Sequence, residues 1–223
     1  MAIEAWELDQ RHRGNVVGAE IARVLREQYG DIPLNHQTAE TTIAIKKFTD
    51  EQKDALKKIG YTAIYPLSGQ SIKGLRESGR KFWSTWFKDY PDFENLTSRH
   101  SEVAINPNKL FLPNSNNKTL EQQEKLVEKI STQLRGRQRI LGVEVIIGEA
   151  PDYTELAFLH LDATGERLFG EKYNYNYART KTTVGSGVAS VGYFDADYGL
   201  YVNCWNPDSG NDYVWAAPLV VPV

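Results

Sequence analysis

Near Tyr173 the chain changes grammar. Before it, most apolar residues recur at helical spacing between capping and stop signals; after it, apolar and polar residues alternate in short runs. Tyr173, Tyr175 and Tyr177 alternate with Asn174 and Asn176, Leu200 and Val202 alternate with Tyr201 and Asn203, and Val214 to Val223 reads as an apolar strand. Helices concentrated early and strands late predict an α+β fold rather than a βαβ alternation.

The helical part divides further. Asn15 can cap a helix with Val17, Ile21, Val24 and Leu25 on one face, and Thr49 with Gln52 has capping-box spacing ahead of Leu56, Ile59 and the stop at Gly60. Neither helix carries enough large apolar groups to fold alone, so residues 1–60 are expected to form a helical N-terminal extension and 61–223 the main domain. In that domain Tyr61 to Tyr65 reads as a short strand. A helix is expected from about Ser71 to Tyr90, with Ile72, Leu75, Phe82, Trp83 and Trp86 on its apolar face and Gly79 allowing close approach there. Residues 91–118, rich in Pro and Asn, read as a long loop. A capping box at Thr119 and Gln122 opens a helix to Gly136, Val143 to Ile147 is a buried strand, and a further helix begins near Pro151 and ends near Gly165.

Familiar chemistry is hard to place. No apolar run reaches the roughly 20 residues of a bilayer crossing, and Met1 to Arg13 is too charged for a signal peptide, so no membrane insertion is expected. A net charge of −3 argues against a nucleic-acid partner. His12, His36, His100 and His160 lack metal-ligand spacing, and the lone Cys204 cannot build a thiolate zinc site; no metal and no cofactor are expected. Gly185 to Ser190 lacks the third glycine of a dinucleotide fingerprint, and no Gly-x-Ser-x-Gly elbow exposes Ser68, Ser186 or Ser190. Glu149, Asp152 and Glu155 sit where a helix dipole attracts carboxylates, so capping is preferred to paired-carboxylate catalysis. Trp205 to Asp208 with Asn211 and Asp212 offers oxygens for calcium, but these are also ordinary turn residues.

The tail itself is unusual. Lys, Arg, Glu, Gln and Met are all absent from Thr182 to Val223. Lys, Glu, Gln and Met number 41 elsewhere in the chain, a frequency that would put about eight in such a tail. The whole negative excess also lies here, in Asp195, Asp197, Asp208 and Asp212. Residues 193–213 are instead dominated by those acids with Tyr193, Tyr198, Tyr201, Asn203, Cys204, Asn206, Ser209, Asn211 and Tyr213. Asparagine codons end in a pyrimidine, and randomising their first two bases yields Asn, Asp, Tyr, Ser, Cys and Gly but never Lys, Glu, Gln, Met or Trp. Trp205 and Trp215 would then be fixed framework. Turn-rich β segments also favour Asn, Asp, Gly and Tyr, so composition alone leaves both readings open.

Phe194, Gly199-Leu200, Val202, Trp205 and the ending Val214 to Pro222, following Arg179 to Thr182, resemble the variable proteins of diversity-generating retroelements. The resemblance covers roughly residues 61–223. It implies a C-type lectin-like domain, with Pro151 to Gly170 as its second helix and a variable region at about 182–223. It further implies a non-enzymatic ligand-binding protein whose surface is rewritten by error-prone reverse transcription at template adenines, with a protein or glycan as ligand. The thirteen positions named above, from Tyr193 to Tyr213, are the expected ligand-binding surface, with Phe194, Leu200, Val202 and Trp215 as scaffold. Two alternatives stand beside it: a fixed-specificity adhesin or lectin domain, and an enzyme resembling formylglycine-generating enzymes, for which Cys204 alone is poor support.

Overall fold

The computed structural model describes residues 20, 23, 24, 26, 27, 46–83 and 90–223. The chain forms two compact units, Met1–Ala44 and Ile45–Val223. In the first, Glu20, Arg23, Val24, Arg26 and Glu27 are helical, and Arg23 donates to Glu27 at 2.7 Å. The rest of the helix expected after Asn15 lies outside the described residues.

The second unit is α+β, with two four-stranded sheets. Its helices are α1 (Asp50–Lys58), α2 (Ile72–Glu77), α3 (Pro91–Glu94), α4 (Leu120–Gly136) and α5 (Ala150–Thr164). Its strands are β1 (Ala63–Pro66), β2 (Glu102–Ile105), β3 (Val143–Ile146), β4 (Tyr177–Val184), β5 (Gly187–Asp195), β6 (Gly199–Trp205), β7 (Val214–Trp215) and β8 (Leu219–Pro222). The first sheet has the antiparallel order β1-β2-β8-β3, so the last strand lies inside it. The second runs β6-β5-β4-β7, with only β4 and β7 parallel.

Strand alternation divides the apolar residues between two cores. Val103 and Ile105 of β2 with Leu219 and Val221 of β8 point into the core around α5, while Ala104, Val143, Val145 and Val220 point into the core of α1 and α4. Helix α5 is buried on nearly every side because it also meets the second sheet through Ala178, Val191, Phe194, Leu200 and Val202. Its Tyr153 hydroxyl donates to the Ala217 carbonyl at 2.6 Å and accepts from the Gly148 N–H at 3.0 Å, pinning the helix to the approach to β8. Its N-terminus carries the expected acidic capping, since Glu149 and Asp152 cap reciprocally. Glu155 does something else: its buried carboxylate accepts from the N–H groups of Ser68, Gly69 and Gln70, fixing that turn.

Both capping boxes, Thr49 with Gln52 and Thr119 with Gln122, form as read. Other elements differ from expectation. The boundary between units falls at Ala44, not residue 60, because Leu56 of α1 is fully buried beneath the first sheet. The helix expected over 71–90 stops at Glu77. Gly79 takes φ +90 with open space around it, and the Gly79 and Arg80 N–H groups fold back to the Arg76 and Leu75 carbonyls. Trp86 lies outside the described residues. The loop expected over 91–118 contains α3 and β2. Residues 214–223 form two short strands in different sheets, not one. Tyr173 belongs to a 3-10 turn, Glu171–Tyr173, and is buried; the strand begins only at Tyr177.

Candidate binding face

Along β6 the second sheet has one covered and one open face. Phe194 is 3% exposed, and Leu200 and Val202 are fully buried against α5. Their neighbours Tyr201, Asn203 and Trp205 stay partly exposed on the other side. Strict alternation from Val191 would turn Tyr193 inward. A bulge prevents this: the β5–β6 register runs from Gly192↔Tyr201 to Asp195↔Gly199, so β5 holds one extra residue. Tyr193 absorbs it at φ +49 and joins the open face, while Phe194 enters the core. Asn and Asp tolerate that left-handed conformation better than Tyr does, so the position suits several residues that an asparagine codon can yield.

An aromatic cluster covers the open face. Trp83 stacks on Tyr198 at 4.8 Å and 20°, and its ring centre lies 5.3 Å from both Tyr193 and Tyr201. Tyr175 packs at 4.8 Å from Tyr193, and Tyr177 reaches Tyr201 at 6.0 Å. The Tyr177 ring lies across Gly192, where a Cβ would meet its backbone and ring at 2.5–2.9 Å. Burial, then the nearby Tyr201 and Tyr193, pushes the Tyr177 hydroxyl far above the usual tyrosine range, so it stays neutral. Beside this cluster opens a cleft of about 480 Å³, lined by Asn174, Tyr175, Tyr177, Ser190, Tyr193, Asn203, Trp205, Asn211, Tyr213 and Val214.

The remaining expected positions lie in two turns. Asp195 accepts from the N–H groups of Tyr198 (3.1 Å) and Asp197 (2.7 Å), which hold its carboxyl below the usual range. Asp197 and Tyr198 are exposed, as are Asn206, Asp208, Ser209, Asp212 and Tyr213 in the β6–β7 loop. Asp212 meets Asn117, and the Asn117 N–H donates to the Asn211 carbonyl at 3.0 Å. The loop is gripped from beneath. The fully buried Arg179 guanidinium donates to the Asn206 (3.1 Å), Ser209 (2.9 Å) and Lys118 (3.3 Å) carbonyls. Main-chain oxygens that could have faced a cation from solvent therefore face an internal one.

Cys204 parts from the others. It shares the inward parity of Leu200 and Val202, packs on the α5 core, and its Sγ lies 3.6 Å from the Val184 carbonyl. Burial pushes the thiol pKa up, which leaves less nucleophilic thiolate. Trp215, expected in the scaffold, packs at 6.1 Å from Phe111 with its Nε1 buried.

Sequence reasoning missed Trp83, Tyr175, Tyr177 and Asn174 as members of this face. The Tyr and Asn repeat at 173–177 was the available signal, but only the β4–β5 register brings it beside Gly192 and Tyr193. Among the described residues no helix is long and apolar enough to cross a membrane. Comparison with family models, curated proteins and solved structures finds no match for this chain.

Proposed function

We propose that this chain is a non-enzymatic ligand-binding protein of C-type lectin-like fold whose C-terminal surface is diversified by a retroelement. The observation that carries the reading is the partition of residues 193–205 between two faces: Tyr193, Tyr201 and Asn203 lie outward, while Phe194, Leu200 and Val202 fill the core. Substitution on the outer face leaves the packing of α5 untouched, which diversification requires. Tyrosine supplies wide contact area at low rotamer cost, and Asn, Asp and Ser supply adaptable hydrogen bonds. Arg179 holds the β6–β7 loop through carbonyls alone, so its grip does not depend on the loop's side chains. Helix α5 falls where the resemblance puts the second helix of that fold.

The test is the nucleotide sequence of the locus. The expected finding is a near-identical repeat that differs from codons 193–213 almost only at template adenines, beside a reverse transcriptase gene. An intact locus without such a repeat overturns the reading.

A further inference from the structure

We infer that the cleft on the open face of the second sheet receives an uncharged saccharide ring, with the ligand class set by residues outside the variable positions. This rests on reading that face as a binding face.

The lining points to the class. Tyr175, Tyr177 and Trp205 supply aromatic walls, and among the described residues no Lys, Arg, Asp or Glu lines the cleft. An ionic ligand would lose its hydration there with no countercharge in return. Asn203 and Asn211 have their Oδ1 atoms tied down by the N–H groups of Cys204 (2.8 Å) and Tyr213 (2.7 Å), which leaves their Nδ2 groups as donors at the rim. A hexose ring matches both features: its C–H face lies against an aromatic ring, and its hydroxyl oxygens accept from amides.

Size and sheet edges argue against a peptide occupant. About 480 Å³ lies in the range of small-molecule clefts. Strand addition at the start of β6 is blocked, since the Trp83 N–H already donates to the Leu200 carbonyl and the Leu200 N–H to the Lys81 carbonyl, both at 3.0 Å. Tyr175 and Tyr177 precede the tail, and Trp205 has a codon that the diversification scheme cannot generate. The aromatic walls would thus persist from copy to copy, while Tyr193, Asn203, Asn211 and Tyr213 would select among sugars.

The experiment titrates the full chain with maltotriose, cellotriose, mannotriose and chitotriose, with sialyllactose and a proline-rich decapeptide as competitors, read by saturation-transfer NMR and calorimetry. At least one neutral trisaccharide is expected to bind saturably, with affinity unchanged by EDTA or high salt. Tyr177→Ala should weaken it about tenfold, while Tyr177→Phe, which keeps the ring, should not. Tyr175→Ala, at the half-buried neighbouring wall, gives the same reading if Tyr177→Ala folds poorly. Asn203→Ala should change the ranking of the sugars and not the class. Binding of no neutral sugar, or preference for sialyllactose or the peptide, overturns the inference. So does unchanged affinity in a folded Tyr177→Ala chain. A template repeat in the locus without sugar binding would remove the ligand class and keep the diversified surface. Sugar binding at a locus without a repeat would do the reverse.

Discussion

The two sheets rest on the same helix, α5, yet leave their residues very different freedom. The inner strands β2 and β8 of the first are covered on both faces, by α5 on one side and by α1 and α4 on the other, so adjacent residues of β8 such as Val220 and Val221 each fill a core. The second packs on α5 with one face, and its other face is covered over β4 and β5, where Arg179, Val188 and Ser190 are buried, but open along β6; there every other position answers to packing and the rest answer to solvent or a ligand. A covered sheet constrains each residue, while a half-covered sheet constrains a parity. Diversity without loss of the fold is possible only in the second.

The sharpest way to break this contrast is to bury a charge. Val220→Asp and Val221→Asp should each cost more than about 4 kcal/mol and abolish cooperative folding, because an unpaired carboxylate would sit in a core on either side of the sheet. In β6, Val202→Asp should do the same while Asn203→Asp leaves the thermal midpoint within a few degrees. Equal effects of Val202→Asp and Asn203→Asp by circular dichroism would show that β6 is covered on both faces.

Next in size is Phe194→Ala. Its ring lies 5.2 Å from Phe158 with Arg167 over it at 5.8 Å, and truncation should cost about 3–5 kcal/mol in urea unfolding. Arg179→Met should follow, at about 1–3 kcal/mol for a buried carbonyl left without a donor, with faster amide exchange concentrated at residues 206–213. Gly192→Ala should lower both stability and ligand affinity, because the new Cβ would meet the Asn176 carbonyl oxygen and the Tyr177 Cα at 2.5 Å and force the β4 backbone to move. The smallest effect belongs to Tyr213, 64% exposed, whose replacement by Ala should change stability by less than about 0.5 kcal/mol.

A pH series probes the covered side alone. His160 on α5 accepts or donates at 2.7 Å with the Tyr65 hydroxyl, its Nε2 is buried without a partner, and burial pushes its pKa below the usual histidine range. A lowered folded pKa means that the unfolded chain takes up the proton first. Stability should therefore hold above about pH 6.5 and fall as pH drops through the folded value. A His160→Asn chain should lose that part of the pH dependence. No change in slope would show that the imidazole is solvated.

Local signals were the readable part of the sequence. Capping boxes at Thr49 and Thr119 act within four residues, and both helices start where their side chains indicate. The inward set Phe194, Leu200 and Val202 was legible from apolar character. What escaped depends on distant partners. Strand β2 is four residues long, and its pairing with β1 and β8 is what distinguishes it from a loop. Spacing alone makes Gly79 a contact point on a long helix, although a positive φ ends the helix there instead. Composition groups Cys204 with the display residues, while strand parity turns it toward the core. Trp83, Tyr175 and Tyr177 come from segments far from the tail, and no spacing within the tail could announce them.

The occupied edge of β6 has a consequence for the protein in a crowded solution. A strand of apolar, aromatic and neutral polar residues with no Lys or Glu is the kind that recruits another copy of itself, because charged side chains are a common guard on open edges. Here Lys81 and Trp83 already fill the backbone groups of Leu200, and the opposite edge is the two-residue strand β7, beyond which the Ala216 carbonyl is taken by the Leu112 N–H at 2.9 Å. At these two places protection against aggregation therefore comes from main-chain pairing outside the display positions. New side chains can appear on the open face without each one having to be tested for stickiness along the strand.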